Sequence, residues 1–183
     1  MRPAARFAPR RSFSSRQHGL TLIELLVAIA VLAIIATMGV PSFQRFTARN
    51  EIAAEVMRIR TALALARNTA VMKRTTISVC SSPGPDHDIC TFDDWSHPWV
   101  IVEGEVSGGS LTGDTLLKVL DGPDNTTLTF NRDDRPVRFS ALGWSQGYNG
   151  TFEICSATER GASVILNNLG RARVASENEA PSC

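Results

Sequence analysis

His18-Gly19-Leu20-Thr21-Leu22-Ile23-Glu24-Leu25-Leu26-Val27 opens an apolar run that ends only at Val40. From Leu20 to Val40 the chain has 21 residues and a single charged side chain, Glu24. About 20 apolar residues are what an α-helix needs to cross roughly 30 Å of hydrocarbon. A carboxylate within such a segment is costly and marks function by default. A charge withdrawn from water is tolerated chiefly when it is paired. Ahead of the run, residues 1–19 carry Arg2, Arg6, Arg10, Arg11 and Arg16 and no acid. That asymmetry holds the N-terminus on the cytoplasmic side of a membrane.

The formal charge of the whole chain is +1, from 19 basic and 18 acidic residues. Without the leader the balance is 14 against 18, or −4. Bulk charge therefore gives no sign of a nucleic-acid partner, and any such activity must come from a local patch. Beyond Pro41, Ile52, Val56, Ile59, Leu63, Ala66 and Ala70 recur at helical spacing. Arg49, Glu51, Glu55, Arg58, Arg60 and Arg67 are assigned to the opposite face. The expectation is one helix from about Leu20 to Met72, bent near Gly39-Val40-Pro41 because proline removes a helical hydrogen bond.

The pattern then changes to period two with β-branched residues. Expected strands are Thr75–Cys80, Trp99–Glu103, Thr115–Leu120, Thr126–Asn131, Val137–Phe139, Thr151–Cys155, Ala162–Leu166 and Arg171–Ala175. Turn signals such as Pro83-Gly84-Pro85, Gly108-Gly109 and Asn149-Gly150 separate them. The fold class is thus α+β, a long helix packed on a β-rich head of antiparallel sheets. Three segments follow: a leader 1–19, the helix and its amphipathic extension 20–73, and a head 74–183. Residues 83–124 follow no pattern that assigns them a role.

Cys80, Cys90, Cys155 and Cys183 all lie after the apolar run, on the oxidising side if the N-terminus is inside. Two disulfides are expected, with three possible pairings. Cys80–Cys90, which closes a short loop, and Cys155–Cys183, which ties down the last residue, are favoured. Each would contribute about 2–4 kcal/mol in the chain-entropy picture.

The leader, Gly19 and Leu20-Thr21-Leu22-Ile23-Glu24-Leu25-Leu26-Val27 resemble the processing signal of type IV pilins and pseudopilins. That resemblance implies cleavage by a prepilin peptidase between Gly19 and Leu20, and N-methylation of Leu20. Leu20 stands where these proteins usually have Phe. It also implies that Glu24 pairs with the amino terminus of a neighbouring subunit during filament assembly. The location implied is the bacterial inner membrane, single-pass with the head in the periplasm, then the pilus and cell surface.

The head resembles the GspH/FimT-like minor pilins and pseudopilins. The residues that carry this are Val137-Arg138-Phe139-Ser140 with Gly143, Gly150-Thr151-Phe152-Glu153-Ile154-Cys155, and Asn167-Asn168-Leu169-Gly170-Arg171-Ala172-Arg173-Val174. In FimT-like pilins a C-terminal Gly-Arg-x-Arg motif is associated with DNA binding in natural transformation, and Gly170-Arg171-Ala172-Arg173 has that form. In an extended strand Arg171 and Arg173 share a face, about 6.6 Å apart. Such a pair can fork onto neighbouring phosphates. Gly170 would permit a tight turn. Arg160 could extend the patch, as could Arg132, Arg135 and Arg138. The competing reading is a solvated edge strand whose arginines deter aggregation. Glu177 and Glu179 count against DNA. Trp144 and Tyr148 are expected to pack the head.

Other chemistries are poorly served. Asp86, His87, Asp88, Cys90, Cys80 and His97 match no zinc spacing. Asp93-Asp94 and Asp133-Asp134 read as turns. No nucleophile–base constellation or phosphate-cradling glycine loop is evident, so no enzyme, metal or cofactor is expected. The resulting expectation is a minor type IV pilin that binds extracellular double-stranded DNA without sequence preference. The alternative is a GspH- or FimU-like subunit that primes or caps a pilus or type II secretion pseudopilus without DNA. Other pilin subunits and the prepilin peptidase are partners in either case.

Overall fold

The computed structural model describes residues 21–111, 115–157, 161–181 and 183. Gly19, Leu20 and Arg160 lie outside them. One α-helix, α1 (Leu22–Lys73), begins the described chain. The Glu24 N–H donates to Thr21 Oγ1 at 3.3 Å, the Thr-x-x-Glu spacing of a capping box. The helix passes through Pro41, whose missing N–H leaves the Thr37 carbonyl without its usual donor. It ends where Arg74 takes a left-handed φ of 53° and the Thr75 N–H reaches back to the Ala70 carbonyl at 3.2 Å. That contact is the closing bond of a Schellman cap.

The chain divides into two compact units, one ending at Pro41 and the other Ser42–Cys183. In the first unit every described residue is exposed. In the second, all six members of the helical stripe, Ile52 to Ala70, are buried. Glu55 departs from the expectation of an exposed polar face: it is 5% exposed. It lies three residues after Ile52 and four before Ile59, so helical geometry puts it on the stripe itself. Its carboxylate accepts from Arg58 Nε at 2.9 Å and from Arg58 Nη2 at 2.6 Å. The same guanidinium donates to the Asp121 carbonyl at 2.7 Å and lies 4.6 Å over the Trp99 ring. A buried carboxylate is tolerable when it is paired in this way.

Among its described residues the head has ten strands: β1 (Ile77–Ser81), β2 (Ile89–Cys90), β3 (Trp99–Glu103), β4 (Gly109–Ser110), β5 (Thr115–Leu120), β6 (Thr127–Phe130), β7 (Val137–Phe139), β8 (Gly150–Cys155), β9 (Ala162–Leu166) and β10 (Ala172–Val174). They form two four-stranded antiparallel sheets, ordered β5-β3-β1-β7 and β10-β9-β8-β6, and a small β2-β4 pair. β3, β5, β7 and β9 have the bounds read from the sequence. β1 starts two residues later than expected, and β10 is shorter, leaving Arg171 outside the strand.

The helical stripe and both sheets share one core. Ile77 and Val79 of β1, Ile101 of β3, and Ile154, Val164 and Leu166 of the second sheet meet it. An aromatic cluster sits at its centre: Trp95 packs edge-on to Trp99, Phe130 and Phe152, with centroids 5.0–5.3 Å apart. Both indole N–H groups are satisfied, Trp95 Nε1 by the Phe92 carbonyl at 2.8 Å and Trp99 Nε1 by the Trp95 carbonyl at 3.0 Å. β1 and β3 are buried on both faces. Their alternate residues Cys80, Val100 and Val102 form a second cluster with Cys90, Val106 and Leu111. That cluster assigns part of the unplaced 83–124 stretch a role: it covers the outer face of the first sheet. Disulfides join Cys80 to Cys90 and Cys155 to Cys183.

Candidate functional site

The Gly-Arg-x-Arg segment begins in the turn between β9 and β10 and runs into β10. Asn167 builds that turn. Its Oδ1 accepts from the Leu169 N–H at 3.0 Å and the Arg171 N–H at 2.9 Å. Its carbonyl accepts from the Gly170 N–H at 2.9 Å, and its N–H donates to the Arg171 carbonyl at 3.1 Å. Gly170 has a φ of 73°, and a Cβ there would lie 2.0 Å from the Gly143 carbonyl oxygen. Both the left-handed backbone and the close approach exclude a side chain. The same Gly143 carbonyl accepts from Arg67 Nε at 3.1 Å. The helix, the 140–145 loop and the 167–171 turn are thereby joined at one point.

The two motif arginines have different surroundings. Arg171 is exposed and has no hydrogen bond or ion pair from its side chain among the described residues. Arg173 is taken: Nη1 and Nη2 donate to the two oxygens of Glu179 at 3.0 and 3.2 Å. Glu179 belongs to a short 3-10 turn, Glu177–Glu179, and also accepts from the Ser176 N–H and hydroxyl, each at 3.1 Å. Arg173 and then the Ser176 donors hold the Glu179 carboxyl at about 2, well below its ordinary 4.5. Glu179 in turn raises the pKa of Arg173.

Of the other arginines proposed for the patch, Arg135 and Arg138 are engaged elsewhere. Arg135 forks onto Asp134. Arg138 is mostly buried: its Nη1 donates to the Tyr148 hydroxyl at 2.7 Å and to Glu105 at 3.1 Å, and its guanidinium lies 4.4 Å over the Tyr148 ring. Trp144, expected to pack the head, is 48% exposed, because it sits in the 140–145 loop and not in a strand. Among the residues considered for metal, Cys80 and Cys90 are bonded to each other, while His97 Nδ1 stands 3.4 Å from Asp94.

One neighbour of Arg171 was not evident from the sequence. A groove of about 690 Å³ runs between α1 and the Gly170 turn, and Arg60, Arg67 and Arg171 all line it. The lining includes no carboxylate. The available signal was the stretch from Val56 to Lys73, which contains four basic residues and no acid.

At the other end of the chain, Glu24 is exposed in the first turn of α1, where the helix dipole favours a negative charge. Around it Leu22, Ile23, Leu25 and Leu26 are 54–77% exposed. The segment is long and apolar enough to cross a membrane.

Known proteins share these features. Residues 55–170 match the family described as type II transport protein GspH, and residues 14–40 match the prokaryotic N-terminal methylation motif. The chain is 27% identical over 156 residues to the type IV major fimbrial protein FimA of Dichelobacter nodosus, covering 79% of this chain and 92% of that protein. It is 28% identical over 110 residues to a fimbrial protein of Pseudomonas aeruginosa, covering 60% of this chain and 64% of the relative. The crystal structure of the type IV minor pilin FimU of Pseudomonas aeruginosa superposes with a TM-score of 0.59 at 25% identity, over 75% of this chain and 97% of that one. With the match running from the buried Glu55 of the helix to the Gly170 turn, the chain belongs to the GspH family, among the minor pilins and pseudopilins of type IV filaments.

Proposed function

We propose that this chain is a minor type IV pilin that is assembled into a pilus and whose head binds extracellular double-stranded DNA in natural transformation. A prepilin peptidase cuts between Gly19 and Leu20, and Leu20 is N-methylated. The apolar segment holds the protein in the inner membrane, head in the periplasm, until Glu24 meets a neighbouring subunit's amino terminus. The division of labour is a leader 1–19, a membrane and filament-core helix with its extension 20–73, and a head 74–183. The observation that carries the filament step is the run of exposed apolar side chains from residue 21 to residue 40 with Glu24 as its one charge. Such a surface needs lipid or other helices around it.

For the DNA step, the support is the exposed Arg171, whose side chain has no partner among the described residues, on a turn that only glycine at 170 can make. Phosphate contacts of this kind position a duplex without reading its sequence. They also make affinity fall steeply with salt. A second reading is a subunit that primes or caps a pilus or secretion pseudopilus and binds no DNA. One observation favours it: Glu179 fills the fork of Arg173.

A gel-shift assay with the full chain in detergent separates the two. The DNA reading expects a retarded duplex at about 50 mM salt. It also expects the shift to vanish in the Arg171→Ala, Arg173→Ala double variant with unchanged thermal unfolding. A wild-type chain that leaves the duplex free favours the second reading.

A further inference from the structure

Within α1, the second compact unit has a face that neither the core nor any local ion pair uses. Arg60 and Arg67 are seven residues apart, two helical turns, and so stand on the same side about 10.5 Å apart along the axis. No acid lies within one turn of either residue, so no i,i+3 or i,i+4 carboxylate can neutralise them. Arg60 is exposed and forms no side-chain hydrogen bond or ion pair among the described residues. Arg67 gives Nε to the Gly143 carbonyl, and no described residue accepts from its two terminal nitrogens. Across the groove stands Arg171, fixed by the Asn167 turn. Asn68 adds an amide to the lining. Three guanidinium groups around one open trough, with no carboxylate in its wall, match a chain of phosphates better than a single small anion.

We infer that the phosphate-binding surface of the head is this groove between α1 and the Gly170 turn, with Arg60 and Arg67 joining Arg171, and that Arg173 lies off the path. The inference rests on the DNA reading above and relocates its contacts. The duplex backbone crosses the second half of the helix and does not follow β10. Arg173, held by Glu179, adds little. Apolar neighbours such as Met57 and Leu65 narrow the trough without competing for the cations.

The test is fluorescence anisotropy of a labelled duplex with the full chain in detergent, titrated across salt. Arg60→Gln is a surface change and leaves the fold intact. It is expected to weaken binding about threefold or more and to lower the log–log salt slope by about 0.9, one phosphate contact. Thr61→Glu, which places a carboxylate in the groove wall, is expected to weaken binding at least as much. Arg173→Gln is expected to stay within about twofold of wild type, since an arginine already paired releases no counterion. If Arg60→Gln and Thr61→Glu bind like wild type while Arg171→Gln does not, the groove is refuted and the DNA reading stands. If wild type itself leaves the duplex free, the DNA reading fails first and the groove with it. If Arg60→Gln keeps its DNA affinity but is lost from pili, the groove is a subunit contact and the inference is wrong.

Discussion

The two halves of α1 have the same backbone and opposite surroundings. From Leu22 to Pro41 the side chains, Glu24 and Thr37 apart, are apolar on every side, and none is buried. From Ser42 to Lys73 the same helix buries a stripe against two sheets and exposes arginines. Propensity cannot distinguish these halves, because both are good helix. The distinction lies in the width of the apolar surface. A stripe is satisfied by the protein's own head, whereas an all-round surface must be satisfied by something outside the chain. The second half therefore serves the stability of the subunit, and the first serves its destination.

The sharpest way to break that contrast is a matched pair of truncations. Leu63 is 1% exposed, and Leu32 is 65% exposed. Leu63→Ala is expected to destabilise the head by about 2–5 kcal/mol, the cost of a lost side chain plus its cavity. Leu32→Ala is expected to change the same transition by less than about 0.5 kcal/mol. Unfolding of the full chain in detergent, followed by tryptophan fluorescence, reads both. Equal effects would mean the halves are not separate in their energetics.

A smaller effect is expected where the second half grips the C-terminal turn. Gly170→Ala imposes a left-handed φ on a residue with a Cβ and drives that atom into the Gly143 carbonyl. The expected loss is about 1–3 kcal/mol of stability. If the proposed DNA binding holds, affinity should fall with it, because Arg171 is aimed by this turn. An unchanged melting temperature would show that the turn adjusts at no cost and that Gly170 is not what fixes Arg171.

The smallest effect concerns the pair that the helix does not touch. The folded pKa of Glu179 is depressed, so its pairing contributes at pH values above 4.5 and is lost as the pH falls through about 2. No change is expected between pH 7 and pH 5. Carboxyl NMR should place the Glu179 midpoint far below 4.5 in the wild type and return it toward 4.5 in Arg173→Ala. A midpoint near 4.5 in the wild type would mean that Arg173 is free for a ligand, which would restore the paired-arginine picture of the motif.

Much of this molecule was legible in its residues. The helical stripe was, because period 3.6 survives whenever one face is buried. So were β3, β5 and β9, whose apolar and β-branched residues are numerous enough to show, and β7, whose Val137 and Phe139 alternate with Arg138. β2 and β4 were not, since two residues have no period. Glu55 was misassigned because a charge on a stripe looks exposed until its partner is known, and Arg58 becomes that partner only with Trp99 beneath it. At the candidate site the motif was visible, but its division was not. Arg171 and Arg173 read as equivalent in sequence. Glu179 separates them through a 3-10 turn, and the tertiary fold brings Arg60 and Arg67 to only one of them.

Glu24 concentrates what the first half is for. Only its backbone N–H takes part in the cap, donating to the Thr21 hydroxyl, and its side chain contributes nothing to the core of the head. Replacing it with Val should leave cleavage after Gly19 and the unfolding of the head as they are, yet keep the protein out of the filament. The decisive measurement is an immunoblot of sheared pili and of membranes from cells making Glu24→Val. Mature protein in the membrane and none in the pili is the result expected of a filament subunit with a paired glutamate. Mutant protein in the pili at the wild-type level would contradict it.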